Sequence, residues 1–151
     1  MTTANIVAKY IIQKFQDAGD PVTNLKLQKL LYYVQGWHLG IYNEPAFDED
    51  FQAWVHGPVI PEVFQVYKRH SWNPIVNDEQ LPELDARLQA HIDDTLDAYG
   101  GDSGWALEIR THRESPWIDA RGSLPQDVSS NQIITKESMH LFFSEFIEEN
   151  E

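Results

Sequence analysis

The 151-residue chain contains six histidines and 24 acidic side chains but no cysteine. These residues determine which catalytic and metal-binding chemistry it could support. Without cysteine it has no disulfide, no thiolate metal site and no cysteine nucleophile. The set closest to an enzyme site is His56, Glu62 and His112, which would serve as acid, base or metal ligand. The motifs of serine hydrolases, phosphate loops, zinc proteases and dinucleotide-binding folds are absent. The residues therefore favour a protein that is not an enzyme, with a small hydrolase or metal-dependent enzyme on those three residues as the alternative.

The other histidines give weaker signals of a metal site. Zinc or iron would need three such ligands that converge in space, and no two histidines stand four apart on one predicted helix. His91 and Asp94 share one face of a predicted helix, where we expect an exposed polar pair. We therefore predict no metal site and no cofactor.

Residues 53–62 form the first of two segments whose composition suits a protein interface. Trp54 and His56 precede a Gly57-Pro58 pair in this segment. Glycine permits a positive φ or a close approach of the backbone, and proline stiffens the chain. Such rigidity would serve the fold as well as a binding surface, so both interpretations stay open.

The second such segment covers residues 111–121 and contains Trp117 and Arg121. Tryptophan and arginine are favoured anchors at protein interfaces. The structural alternative is that the indole of Trp117 packs back onto the core at a helix end, while Arg113 and Arg121 neutralise carboxylates of their own chain.

The elements that must position these residues are mainly helical. Apolar residues recur at helical spacing in six segments, with predicted limits of about 4–16, 24–41, 61–70, 82–99, 102–115 and 135–148. The second segment is apolar over more than one stripe, which predicts a central helix. Period-two alternation predicts a short strand over 51–56, ended by Gly57-Pro58, and residues 122–131 are predicted as loop. N-cap side chains precede three of the helices: Thr23 or Asn24, Asp102 or Ser103, and Thr135.

Chain length and element count together predict the fold class. A length near 150 fits one domain. We expect a mainly α, single compact domain over residues 1–151, with about six helices and one or two short β-strands. Its last element is the amphipathic C-terminal helix, about 135–148.

The formal charge of −13 is unevenly distributed. Residues 1–72 carry seven acidic and six basic side chains, whereas residues 73–151 carry seventeen and five. A nucleic-acid partner is not expected, because phosphate binding needs a basic face. The acidic half is either a solvated surface that maintains solubility or a docking surface for a basic partner.

The longest apolar run, residues 30–34, is far shorter than the ~20 residues of a membrane span. The N-terminal residues lack the pattern of a signal peptide. We expect a cytoplasmic protein without a membrane partner.

Three blocks of sequence, taken in order, resemble the Panacea domain. They are residues 25–37, residues 53–61, and residues 112–117 with Ala120 and Arg121. The blocks lie within about 23–122, roughly two-thirds of the chain. The family includes the SocA-like antitoxins and the phage-associated GepA proteins.

The resemblance implies a bacterial or prophage antitoxin without catalytic activity. Such a protein neutralises a protein toxin encoded beside it by direct binding, and one branch of the family delivers its toxin to an ATP-dependent protease. The resemblance does not identify the toxin. About 22 residues precede the first block, too few for a helix-turn-helix domain, so autorepression by this chain alone is not expected. A phage-associated interaction protein without a toxin is the remaining alternative.

Aromatic and arginine side chains in the resembling blocks are the expected binding residues for the partner. Four of them form the centre of the expected surface: Trp54, His56, Trp117 and Arg121. Two aromatic residues of the second predicted helix, Tyr33 and Trp37, are expected to line the same region.

Overall fold

The computed structural model describes residues 2–77 and 79–149 and forms a mainly α single domain. Its seven α-helices are α1 (Ala4–Asp17), α2 (Asn24–Tyr42), α3 (Pro61–Tyr67), α4 (Ala86–Tyr99), α5 (Gly104–Thr111), α6 (Ser115–Arg121) and α7 (Lys136–Glu149). A short 3-10 helix, Lys68–His70, continues α3. Its three short strands are β1 (Phe51–Trp54), β2 (Gly57–Val59) and β3 (Ile133–Ile134). The predicted fold class is confirmed.

Helix α2 occupies the centre of the fold, as its apolar pattern predicts. It begins where the Thr23 hydroxyl accepts a hydrogen bond from the backbone N–H of Lys26, at 3.2 Å. It packs against α1, α4, α5, α7 and β2. Helix α7 approaches most closely at Gly36, where a Cβ atom would overlap the ring of Phe143. The core therefore surrounds one helix, and the second helix of the sequence organises the domain.

The three strands form an antiparallel sheet with the order β2-β1-β3. Strand β1 alternates as predicted, with Phe51 and Ala53 buried and Gln52 and Trp54 partly exposed. The chain reverses immediately after Trp54, so the predicted strand over 51–56 ends two residues early. Gly57-Pro58 opens β2 rather than ending the strand, because Gly57 pairs with Trp54 across the turn.

The helix predicted over about 102–115 ends early, and a further helix that the sequence did not predict follows it. Helix α5 ends at Thr111, and α6 begins at Ser115 with Pro116 in its first turn. Proline has no N–H to donate to the preceding turn and disfavours helical geometry in the residue before it. The segment therefore restarts as a separate helix, which raises the number of α-helices from the predicted six to seven.

Within the described part of the chain, no helix combines the length and apolar character that crossing a membrane requires.

Candidate partner-binding site

Two side chains of the β1–β2 hairpin, Trp54 and His56, form a ridge between two clefts. We call this pair the hairpin ridge. On one side lies a cleft of about 790 Å³, the loop cleft, which Leu124 and residues 129–132 also line. On the other side lies a cleft of about 660 Å³ between the start of α2, the 3-10 helix and the start of α5. The same two residues border both clefts, so the hairpin ridge separates the two clefts.

The surface of the second cleft is mainly apolar and includes three tryptophans, and we call it the aromatic cleft. Trp72 and Trp105 stand at its rim with 80% and 68% of their surface exposed. Phe64 meets the Trp54 ring edge to face, with 5.0 Å between ring centroids. Leu25 contributes to the same wall. Three of the five tryptophans of the chain therefore border one cleft.

Lys29 supports the hairpin from below. Its side chain is fully buried, and its Nζ donates a hydrogen bond to the carbonyl oxygen of Pro58 at 2.9 Å. Burial lowers the pKa of Lys29 to about 7, against a smaller opposing effect of Glu108. Gly57 lies directly over this lysine with φ +102°, where an added Cβ would be 2.6 Å from the Lys29 Cε. From the sequence, glycine permits a positive φ or a close approach of the backbone here, and the structure shows both.

His56 is oriented by a carboxylate from α5. Its Nδ1 lies 3.0 Å from Oε1 of Glu108, while 65% of its side chain remains exposed. His112 lies nearby under the hairpin and stacks on Trp117, with 4.1 Å between ring centroids. Burial lowers the pKa of His112. The imidazole of His112 therefore belongs to the packing of α6 rather than to the open face.

The enzyme alternative requires Glu62 to act together with these two histidines. Glu62 is exposed in the first turn of α3, and no hydrogen bond or ion pair among the described residues joins it to His56 or His112. Over residues 2–77 and 79–149, no group of three or more His, Asp or Glu side chains is placed to hold a metal ion. Instead, the carboxylate beside His56 is that of Glu108.

Trp117 and Arg121 hold strand β1 from behind. Trp117 is 2% exposed, and its indole N–H donates to the carbonyl oxygen of Trp54 at 2.8 Å. The structural alternative, in which this indole packs back onto the core at a helix end, agrees with its position in the first turn of α6. Arg121 is also buried and donates to the carbonyl oxygen of Ala53 at 2.9 Å. The two side chains therefore fix the backbone that carries the hairpin ridge.

The guanidinium of Arg121 also orders the loop that follows α6. It donates to the carbonyl oxygen of Pro125 at 2.7 Å and to that of Val128. Its plane lies over the Trp117 ring, 4.8 Å from the centroid. Arg121 therefore binds backbone carbonyl groups. The sequence suggested that it neutralises a carboxylate or contacts a partner, and neither role accounts for these hydrogen bonds.

Tyr33 and Trp37 belong to a different cluster, where α2 meets α4 and α7. The fully buried Tyr33 donates to the carboxylate of Glu114, with oxygen–oxygen distances of 3.1 and 3.2 Å, and stacks on Tyr99. The half-buried Trp37 donates its indole N–H to the Tyr99 hydroxyl at 2.8 Å. Burial raises the pKa of Glu114 to about 7, against the effect of its hydrogen bonds from tyrosine.

The structure therefore separates the six predicted binding residues by accessibility. His56 is exposed on the hairpin ridge, and Trp54 and Trp37 are both half-buried. Tyr33, Trp117 and Arg121 are covered by the protein itself. Of these three, Trp117 and Arg121 bond the backbone of the hairpin, whereas Tyr33 does not.

Sequence reasoning missed the two most exposed tryptophans and the buried lysine. Trp72 stands between the polar residues Ser71 and Asn73, and this lack of apolar neighbours was the available signal for a surface role. Trp105 precedes Ala106 and Leu107, so its sequence context gave no such signal. Lys29 stands within the most apolar segment of the chain, which was the signal that its charge is buried.

A mainly α domain with an exposed aromatic face has the features of a protein-binding domain. The chain belongs to the family described as antitoxin SocA-like, Panacea domain, which matches residues 27–118. The matched range contains Lys29, the whole hairpin and Trp117. Antitoxin SocA of Caulobacter vibrioides (strain NA1000 / CB15N) is 35% identical over 74 residues. That alignment covers 49% of this chain and 39% of the length of that antitoxin. No solved structure matches the chain significantly.

Proposed function

We propose that this chain is the antitoxin of a bacterial or prophage toxin–antitoxin pair, acting in the cytoplasm by direct binding of a protein toxin. Family membership supports the antitoxin role. The observation that carries the binding mode is the aromatic cleft beside the hairpin ridge, where Trp54, Trp72 and Trp105 border one depression. Exposed apolar residues scattered singly need no explanation, but a contiguous set marks an interaction site.

The binding surface is preformed in this proposal. Three buried side chains fix the backbone of the hairpin through hydrogen bonds to carbonyl groups of its two strands. Trp117 and Arg121 bond those of Trp54 and Ala53 in β1, and Lys29 bonds that of Pro58 in β2. A surface that is already ordered loses little conformational entropy when a partner binds. Neutralisation by occlusion follows, because a rigid face that covers the active surface of a toxin needs no chemistry of its own.

Delivery to an ATP-dependent protease is a second step of the proposal. In that step the toxin is degraded while held by the antitoxin. The lifetime of the toxin in cells should then be shorter in the presence of the antitoxin and be restored when the protease is deleted. An unchanged lifetime would leave occlusion as the whole mechanism.

The test of the antitoxin role uses the adjacent reading frame of the source genome. We expect its product to stop growth when expressed alone and to be harmless when expressed with this chain. The double variant Trp72→Ala/Trp105→Ala should lose protection while remaining soluble. Leu141→Ala is the matched control, because Leu141 is 58% exposed on α7 and lies outside both clefts.

Two outcomes would contradict the proposal. A neighbour that is harmless alone and does not bind the chain would favour an interaction protein without a toxin. Loss of protection in Glu62→Gln would favour the enzyme alternative, because Glu62 lines neither cleft and binding at the aromatic cleft does not need it.

A further inference from the structure

We infer that the aromatic cleft takes a segment of the partner protein that combines an apolar side chain with a carboxylate. The inference deepens the proposed function, on which it rests for the identity of the partner. It concerns the chemistry of the segment that enters the cleft, and it follows from the charge, walls and size of the cleft.

The charge of the cleft is opposite to that of the protein. The chain carries 24 acidic and 11 basic side chains. None of the described residues that line the aromatic cleft is acidic, whereas the exposed Lys68 and the imidazole of His56 line it, and the ammonium group of Lys29 is buried beneath it. A random sample of this surface would favour acidic residues, so the local charge is a specific property of the cleft.

Lys68 is the cation available to a partner. The buried Lys29 is held by the Pro58 carbonyl group, and His56 is held by Glu108. Lys68 is exposed in the 3-10 helix at the rim. Its backbone carbonyl group accepts from the Ser71 N–H, but among the described residues no hydrogen bond or ion pair engages its ammonium group. Its charge can therefore meet a carboxylate from outside the chain without breaking an internal contact.

The walls and floor of the cleft favour an apolar group. Leu25 and Phe64 form its sides below the rim tryptophans. The polar Gln28 on the floor is already satisfied, because its Nε2 donates to Asn24 and its Oε1 accepts from the Ile60 N–H at 2.9 Å. The interior of the cleft therefore favours an apolar group, and the favourable position for an anionic group is beside Lys68 at the rim.

The size of the cleft fits a short peptide segment. Its volume of about 660 Å³ lies within the roughly 300–1,000 Å³ that is usual for ligand sites. An extended segment with a phenylalanine or leucine beside an aspartate, a glutamate or a free C-terminus supplies both required groups. A neutral apolar segment would fill the walls and leave Lys68 without a counter-ion.

The test uses three small probes that share a phenyl group and differ in charge. They are N-acetylphenylalanine, its uncharged amide, and phenethylamine. Each is titrated into the full chain at pH 7 and low salt, while the indole N–H signals of Trp72 and Trp105 are followed by NMR. We expect the carboxylate to bind roughly two- to fivefold more tightly than the amide, the range expected for one exposed ion pair, and the amine to bind most weakly.

Single substitutions separate the contribution of the Lys68 charge from that of the apolar contact. Lys68→Ala should abolish the difference between carboxylate and amide and leave the affinity for the amide unchanged. Trp105→Ala should weaken both. Lys14→Ala, at an exposed lysine of α1 outside the cleft, should change neither. Equal affinity for carboxylate and amide, stronger binding of the amine, or no shift of either indole signal would overturn the inference.

The probe experiment tests the chemistry of the cleft and the growth experiment tests the antitoxin role, so each can give a negative result without the other. If the probes behave as expected and the neighbouring product is harmless, the cleft chemistry stands and the antitoxin role falls. If protection depends on Trp72 and Trp105 while the probes show no preference for the carboxylate, the antitoxin role stands and this inference falls.

Discussion

Lys29 is an individual side chain whose burial has a measurable effect on stability. Its pKa is about 7 in the folded chain, against 10.5 as the ordinary value. Between these pH values the unfolded chain keeps a proton that the folded chain has lost. The free energy of unfolding should therefore rise with pH across this window, by at most about 1.4 kcal/mol per pH unit from this one group. Below pH 7 both states are protonated, and the cost of burying the charge is constant.

Replacing this lysine by an uncharged side chain of similar length should remove that dependence. In Lys29→Met we expect the increase in unfolding free energy between pH 7 and pH 9 to be smaller than in the wild type. Denaturant unfolding at several pH values measures it, with Lys14→Met as the control at an exposed lysine. A slope in Lys29→Met as steep as that of the wild type would show that Lys29 stays protonated in the core.

The planar guanidinium group of Arg121 donates hydrogen bonds in two directions, which the single ammonium group of a lysine cannot reproduce. Its two terminal nitrogens reach Ala53 on the sheet and Pro125 in the following loop at once. In Arg121→Lys we expect a loss of roughly 1–3 kcal/mol in unfolding free energy, because buried carbonyl groups lose their donors. Amide exchange should become faster near Pro125. Arg113→Lys is the control, since Arg113 is exposed. Equal effects of the two substitutions would argue against the carbonyl contacts.

Among the elements, the β1–β2 hairpin depends on Gly57. This residue has φ +102°, and a Cβ there would be 2.6 Å from the Lys29 Cε and 2.9 Å from the Thr111 Oγ1. Gly57→Ala should lower the free energy of unfolding by roughly 1–3 kcal/mol, the usual cost of a strained backbone position. It should also weaken toxin binding, because the hairpin ridge shifts with the turn.

Gly101→Ala is the matched control for this substitution. A Cβ at Gly101 meets nothing within 4 Å, and its φ does not fall in the left-handed region. Replacing such a glycine should be neutral or slightly stabilising, by up to about 1 kcal/mol. Thermal unfolding of both variants compares them directly, and a Gly57→Ala variant as stable as Gly101→Ala would contradict the tight packing of the hairpin over Lys29.

The elements that the sequence predicted correctly are those determined by local interactions. The caps at Thr23, Ser103 and Thr135 each bond a backbone N–H three residues later. Pro61 begins α3 as its fixed φ favours. These features depend on a few neighbouring residues, so spacing and residue type suffice to find them.

Features that depend on distant contacts were missed. Strand β3 exists because residues 133–134 pair with β1, about 80 residues earlier in the chain. The prediction that His91 forms an exposed pair with Asp94 was wrong, because α4 packs on α2 and the buried His91 ring bonds the Val34 carbonyl oxygen at 2.9 Å. The aromatic cleft likewise joins Trp54, Trp72 and Trp105 from three elements. Its charge and shape follow from tertiary packing and not from any local pattern.

For the protein as a whole, net charge should govern the rate of encounter. Most of the −13 charge lies in residues 73–151, so a basic toxin would be attracted over distances longer than those of direct contact. We expect the association rate constant to fall several-fold as salt rises from about 0.05 to 0.5 M, where the screening length shortens. Stopped-flow fluorescence measures the rate. An association rate constant that does not change with salt would show that the acidic half is only a solvated surface.

Binding at the aromatic face can be measured with purified components. Isothermal titration calorimetry of the toxin against the wild type, Trp72→Ala/Trp105→Ala and Leu141→Ala compares two surfaces of similar exposure. We predict that the double variant binds at least about thirtyfold more weakly, since buried tryptophan anchors cost about 2 kcal/mol or more when removed. Leu141→Ala should bind like the wild type. Unchanged affinity in the double variant, with the fold intact by circular dichroism, would contradict neutralisation through this face.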